Sequence, residues 1–242
     1  MPHETAEVIE IQGRSEQGMQ EPFQCLADDG HLYYVKGCQT DRSSLCNELI
    51  CAHLAVQLGL PLPPFKLLNV SEEILAEAPP AWRVLGAGLA FGSQQHPGCT
   101  WFDKAQVQHV PMDLQREIMA FDWWIRNLDR YDYNPNLLWD ASNAKLVVID
   151  HNLAFDNTFE TIGFLENHIF RECWRGMDFV GLDALQLRFS HAMDAVLAPV
   201  CDNIPPSWHW ANAECDIPAN VDLDAIKATL ARCKSHDFWR FA

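Results

Sequence analysis

Basic side chains are scarce in this sequence: 17 Lys and Arg stand against 33 Asp and Glu, a formal charge of −16 over 242 residues. So acidic a chain repels nucleic-acid phosphates and anionic lipid at long range. No direct nucleic-acid binding is expected, and partners should be neutral, cationic or metal-bridged. Long apolar runs are missing too. The stretch from Leu45 to Leu60 is broken by Asn47, Glu48, His53 and Gln57, and nothing approaches the roughly 20 apolar residues of a spanning helix, so no membrane crossing is expected. Met1 to Glu10 lacks a basic start followed by an apolar core and carries Glu4, Glu7 and Glu10. No secretory signal is read there, and a cytoplasmic address is the expectation. Nine cysteines are present, yet no two have the C-x-x-C spacing, which argues against a zinc ribbon or a thioredoxin motif. They read as small buried hydrophobes in a reducing compartment. Repeats and low-complexity tracts are absent.

What is present describes a folded chain, 48% hydrophobic and 21% charged, long enough to bury roughly 70–75% of its unfolded surface. Short alternating or apolar runs dominate up to residue 92. Ala6–Gln12, Phe23–Ala27, Leu32–Lys36, Phe65–Val70 and Trp82–Phe91 read as strands. Asp28-Asp29-Gly30 supplies the turn of a hairpin, because Asp and Gly tolerate positive φ. Between the third and fourth runs, Leu45, Leu49, Ala52 and Val56 fall at helical spacing, with Ser43 or Ser44 as N-cap and Gly59 as the stop. After the loop Gly92–Gly98 the pattern becomes mostly helical. Leu114, Ile118, Phe121, Ile125 and Leu128 mark one helix face. Leu137–Trp139 and Leu146–Ile149 form a small hairpin, and further helices are expected around Ile162–Trp174, Asp183–Leu197 and Asp222–Cys233. Trp123 and Trp124 are core residues on this reading.

The residues that carry chemistry follow in a telling order: a helix, Asp129-x-x-x-x-Asn134, a hairpin, then an apolar strand ending at Asp150. That order suits phosphoryl transfer. One Asp can orient a hydroxyl and take its proton, an Asn of the same loop can ligate Mg²⁺, and an Asp at a strand end can bridge metal to phosphates. The same residues also fit a surface loop whose side chains cap turns, and Asn136 is an alternative ligand to Asn134. Upstream, Lys36 ends a β-like run and Glu48 lies on the following helix. This pair can hold nucleotide phosphates, since a desolvated ammonium needs a carboxylate to stay oriented. His151 fits either a phosphate contact or a spacer beside Asp150. Asp122 and Asp132 read as solvated carboxylates that could enlarge the negative site.

Tyr33-Tyr34-Val35-Lys36, Asn47 through Pro64, Phe91-Gly92-Ser93, and above all Asn127-Leu128-Asp129-Arg130, Asn136-Leu137-Leu138 and Val148-Ile149-Asp150-His151 together resemble the HipA-like kinases. More distantly they resemble phosphoinositide and protein kinases. The likeness covers roughly residues 10 to 160. It implies an α+β, bilobal protein-kinase-like fold: a small β-rich N-lobe with one main helix (1–92), and a mostly helical C-lobe (93–242), with ATP in the cleft. It further implies Asp129 as catalytic base, Asn134 and Asp150 as Mg²⁺ ligands, Lys36 as the phosphate-binding lysine, Glu48 as its partner, and a phosphate-covering loop over Gly13–Gln20 containing Ser15 and Gly18. The protein-kinase pattern is not followed throughout. There is no G-x-G-x-x-G, no His-Arg before Asp129, and His151-Asn152 follows Asp150 in place of Phe-Gly. The activity implied is ATP- and Mg²⁺-dependent transfer to a protein Ser or Thr hydroxyl. A kinase acting on a cationic small molecule and a silent nucleotide-binding module are the alternatives.

Overall fold

The computed structural model describes residues 3–15 and 21–240. They form a mixed α/β structure, β-rich in its N-terminal part and helical in its C-terminal part. Two compact units divide it: Met1–Leu49, Pro63–Pro97 and Asp202–Val221 make the first, and Ile50–Leu62, Gly98–Cys201 and Asp222–Ala242 the second. These bounds differ from a single division at residue 92, in that 50–62 belong with the second unit and 202–221 with the first.

The first unit is built on a closed barrel in the order β1-β2-β3-β5-β4. Its strands are β1 (Thr5–Arg14), β2 (Phe23–Ala27), β3 (Leu32–Lys36), β4 (Phe65–Val70) and β5 (Gly88–Gln94). Alternation sends Phe23, Cys25, Ala27, Tyr33 and Val35 inward, where each is essentially solvent-free. The β2–β3 hairpin turns at Gly30, whose φ of 81° suits glycine. Closure comes from β1 running parallel to β4, with Thr5 opposite Leu67. Gly92 lies where a Cβ would come within 2.7 Å of the Leu68 side chain, so the barrel interior is filled up to the backbone there.

The expected strand Trp82–Phe91 is corrected. Pro80–Leu85 is a 3-10 turn and β5 begins only at Gly88, because Pro79-Pro80 preset a turn and Gly86 and Gly88 adopt φ of 73° and 106°. A short helix, α2 (Glu72–Glu77), precedes that turn, its N-terminus closed by the Ser71 hydroxyl accepting the Ile74 N–H. The long helix α1 (Arg42–Leu58) also starts differently from the reading above. Asp41, not Ser43 or Ser44, caps it, since its carboxylate accepts the Ser44 N–H and hydroxyl, both at 2.8 Å. α1 ends as expected at Gly59, φ 81°, with the Leu60 N–H reaching the Ala55 carbonyl at 2.9 Å.

The second unit contains α3 (Met112–Trp124), α4 (Thr161–Asn167), α5 (Phe179–Cys201) and α6 (Leu223–Ala231). A three-stranded sheet joins β7 (Leu137–Asp140) and β8 (Lys145–Val148) to β6 (Cys99–Trp101), so the hairpin has a third strand. The helix expected over Ile162–Trp174 is interrupted. α4 stops at Asn167 because His168 turns to extended backbone, and a separate 3-10 turn covers Arg171–Trp174. The core is aromatic: the Trp124 and Phe189 rings meet edge to face at 5.0 Å, and Phe189 meets Trp239 at 4.9 Å. Each buried indole N–H is satisfied, Trp124 by the Leu230 carbonyl at 2.8 Å and Trp239 by that of Cys233 at 2.9 Å. Cys25, Cys46, Cys51, Cys173, Cys201 and Cys233 are buried thiols, whereas Cys38 and Cys215 are exposed. Among the described residues no helix is long and apolar enough to cross a membrane.

Candidate active site

The first unit orients a lysine. Lys36 is the last residue of β3, and its ammonium donates to Glu48 Oε2 on α1 at 2.9 Å, with side-chain exposures of 12% and 6%. So little exposure separates this pair from a solvated surface ion pair. The carboxylate restricts where the long lysine side chain can point, as a phosphate-holding ammonium requires. Ser15 follows β1, with its N–H donating to the Pro22 carbonyl at 2.8 Å. Gly18, the other expected loop residue, lies outside the described residues.

The second unit assembles the acidic loop. α3 ends at Trp124, and a short connection leads to Asp129, whose N–H donates to Asn127 Oδ1 at 3.1 Å. Two amides then hold the Asp129 carboxylate. Asn136 Nδ2 donates to Asp129 Oδ2 at 2.9 Å and to the Asp129 carbonyl at 2.7 Å, and Asn134 Nδ2 donates to Oδ1 at 3.3 Å. The sequence reading weighed Asn136 only as a rival ligand. In the structure it is 5% exposed and fixes both the backbone and the carboxylate of Asp129. Asp150 enters from the end of β8. Its neighbour Ile149 donates its N–H to the Asn136 carbonyl at 3.1 Å, and Asp150 itself sits at φ 60°, a region a non-glycine residue adopts at some energetic cost. Burial pushes the Asp129 carboxyl above its ordinary range and the nearby Asp150 charge adds to that, opposed by the bonds from Asn136 and Asn134.

Behind the loop lies a polar network that the sequence reading missed. Asp122 and Arg130 are both at 0% exposure. Arg130 grips the Asp122 carboxylate with Nε at 2.6 Å and Nη2 at 3.3 Å, and its Nη1 donates to the carbonyls of Pro135 and Asn136 at 3.0 and 2.7 Å. Asn127 Nδ2 adds a bond to Asp122 at 2.9 Å. His168 Nδ1 accepts the Phe170 N–H at 3.1 Å, so the ring proton sits on Nε2, which donates to Asp122 at 3.0 Å. Burial pushes the Asp122 carboxyl up, but Arg130 and His168 outweigh it and hold it well below the usual carboxylate range. Asp122 is therefore a buried anchor, not a solvated helix carboxylate. Asp132 does not enlarge the negative site either, because Lys104 and Arg171 neutralise it. The only sequence trace of this network was a charged pair, eight residues apart, beside Trp123 and Trp124. His151 is 1% exposed and meets the Phe121 ring edge to face at 5.5 Å, which places it in the packing behind the loop.

No cluster of three or more His, Cys, Asp or Glu suited to a metal occurs among the described residues. A magnesium-class ion needs no such cage, since it takes hard oxygens at one or two protein ligands and fills the rest with water and substrate phosphates. Asn134 and Asp150 fit that donor type. With Nδ2 of Asn134 turned to Asp129, its Oδ1 remains as an acceptor, and a divalent cation would relieve the repulsion between the two carboxylates.

A family model described as HipA-like kinase matches residues 8–242. The structure is similar to that of the Helicobacter pylori proinflammatory kinase CtkA, with a TM-score of 0.56 at 12% identity, covering 98% of this chain and 97% of that one. A Golgi casein kinase gives 0.48 at 15% identity, covering 98% and 71%, and the same kinase with Mn/ADP bound gives 0.45 at 12%, covering 98% and 73%. No curated protein matches in sequence. The match to CtkA concerns the fold, while the family model spans nearly the whole length; the chain belongs to the HipA-like kinase family.

Proposed function

We propose that this protein is an ATP- and Mg²⁺-dependent phosphotransferase acting in the cytoplasm on a protein Ser or Thr hydroxyl. In this reading it is a two-lobed kinase, in which Lys36 and Glu48 handle the nucleotide phosphates and Asp129, Asn134 and Asp150 the chemistry. The observation that carries the reading is the constrained Asp129 carboxylate, held by Asn136 at 2.9 Å and Asn134 at 3.3 Å with Asp150 close enough for its charge to be felt.

Lys36, aimed by Glu48, binds phosphate oxygens of the nucleotide. Asn134 and Asp150 would hold the cation through oxygen, and a magnesium ion there would supply neutralisation of the nucleotide's phosphate charge. Asp129 orients the acceptor hydroxyl for in-line attack on the γ-phosphorus. The new P–O bond forms as the bond to the β-phosphate oxygen breaks; the hydroxyl proton passes to Asp129 and ADP leaves with the bonding pair. Asn136 contributes by preventing the carboxylate from rotating, and positioning of this kind is most of what phosphoryl transfer asks of a protein. A carboxyl pushed above its ordinary range is also a better proton acceptor once ionised.

Incubation with γ-labelled ATP and Mg²⁺ tests the proposal, comparing wild type with Asp129→Ala on a Ser/Thr peptide library and on cationic aminoglycosides. Label on peptides in the wild type alone supports the reading. Label confined to aminoglycosides would move the acceptor to cationic small molecules, and nucleotide binding without transfer to anything would leave a binding module.

A further inference from the structure

The connection between α5 and α6 is longer than these helices require. They pack on each other in the second unit, and neighbouring helices are usually joined by roughly 2–8 residues. Here the chain leaves α5 at Cys201, re-enters helix only at Leu223, and places the intervening Asp202–Val221 in the first unit. This strap has a fixed shape of its own. A 3-10 turn covers Pro206–His209, and beyond it the Ala211 N–H donates to the Ile217 carbonyl at 2.8 Å and the Ala219 N–H to the His209 carbonyl at 2.9 Å.

Two tryptophans of the strap touch the elements that carry Lys36 and Glu48. Trp208 is solvent-free, and its indole N–H donates to the Leu89 carbonyl at 2.9 Å. Leu89 lies on β5 just past Phe91, where the β3–β5 ladder ends in the pair Lys36–Phe91. Trp208 therefore holds β5 at the end of the ladder that places the lysine. Trp210 serves the other partner. Its carbonyl accepts Arg42 Nε at 3.1 Å, and Arg42 is the first residue of α1, the helix that bears Glu48. The same guanidinium donates through Nη2 to Cys38 Sγ at 3.4 Å, in the loop that joins Lys36 to α1. That loop has no slack on its other side. The Cys38 N–H donates to the Leu85 carbonyl at 2.7 Å, a Cβ at Gly37 would lie 2.5 Å from the Leu85 oxygen, and one at Gly86 would overlap Cys38 Sγ.

We propose that the 202–221 strap sets the geometry of the Lys36–Glu48 pair, with Arg42 as the positioning residue on the glutamate side and Trp208 on the lysine side. The ammonium and the carboxylate meet at 2.9 Å only while strand and helix keep one spacing. One short piece of backbone fixes both ends of that spacing, through β5 and through the start of α1. What the pair does for a nucleotide rests on the kinase reading; the positioning does not.

The test follows acetylation of Lys36 in the whole chain by acetic anhydride, read by peptide mass spectrometry well below the unfolding temperature. Lys66, on β4 of the same barrel and bonded to Asp29 at 3.0 Å, is the internal reference. Only the deprotonated amine is acetylated, and a carboxylate partner keeps the proton on. Arg42→Leu retains helix propensity and an apolar stem but has no donor, and Trp208→Phe removes only the indole donor from an aromatic site. Expected is a Lys36-to-Lys66 labelling ratio that rises several-fold in both variants, with MgATP binding roughly tenfold weaker in Arg42→Leu by calorimetry. Arg42→Lys, which keeps a donor for the Trp210 carbonyl, should recover most of both losses. Should Arg42→Leu fail to fold, Trp208→Phe carries the ratio test by itself. A general loosening of the fold would speed both lysines together and leave the ratio unchanged, which would overturn the proposal, as would an unaltered Lys36 rate. A ratio that rises in the variants of a chain whose wild type binds no nucleotide would uphold the strap and sink the kinase reading alone.

Discussion

Replacing Asp122 by Asn tests the buried network under the catalytic loop. The carboxylate receives four hydrogen bonds: Asn127 and Arg130 Nη2 on Oδ1, Arg130 Nε and His168 on Oδ2. Its side chain and that of Arg130 are fully shielded. An amide of the same shape turns two NH donors toward guanidinium and imidazole donors, and leaves the Arg130 charge buried without compensation. Removing one partner of a buried pair costs roughly 3–5 kcal/mol. For a chain of this size about 1 kcal/mol corresponds to roughly 2–4 °C, so a fall of about 6–20 °C in Tm is expected, with a matching loss in urea midpoint. Asp122→Leu combined with Arg130→Met should recover most of the loss, because apolar residues of similar volume substitute well for a buried pair. The same Arg130 holds the Pro135 and Asn136 carbonyls. Loosening it should therefore also lower phosphotransfer well below the unfolding temperature, with nucleotide affinity changed little. A shift under about 1 kcal/mol, or a double variant as unstable as the single one, would refute the reasoning.

Asp150→Asn should weaken Mg²⁺-dependent nucleotide binding far more than Asp129→Asn, since only Asp150 is assigned to the cation; equal losses by calorimetry count against the assignment. The acid limb of the pH–rate profile should lie above that of an ordinary aspartate, as burial raises Asp129, and Asn136→Ala, which removes a bond stabilising the ionised carboxylate, should move it higher still. A limb that moves down instead contradicts the role given to Asn136. His168 titrates below its ordinary 6.5 because burial disfavours its charged form. Below 6.5 the unfolded chain then binds more protons, so stability should fall as pH drops from that value toward the folded-state value, and His168→Gln should flatten the dependence in denaturant titrations. Gly92→Ala drives a Cβ to 2.7 Å from the Leu68 side chain, and overpacking of this kind should destabilise by about 1–3 kcal/mol in urea unfolding; no loss would mean Leu68 yields freely.

Local physics was legible without coordinates. Alternation of apolar residues located β2, β3 and β4, and a 3.6-residue period with Gly59 as its stop located α1, because side-chain direction within one element depends only on spacing along it. Lys36, Asp129, Asn134 and Asp150 could be nominated from their places at strand ends and in a loop, and Glu48 from its place on the helix that follows Lys36. Other features were decided by which distant segments fold against each other. Closure of the barrel pairs Thr5 with Leu67. The anchor for Arg130 joins Asp122 to His168, 46 residues on. Asn136 became the clamp on Asp129. A period in sequence encodes a face but not its partner, and a charge in sequence does not reveal whether water or another side chain will solvate it. Only burial in the tertiary structure settles that, since the Coulomb energy of a pair depends on the dielectric the fold creates around it.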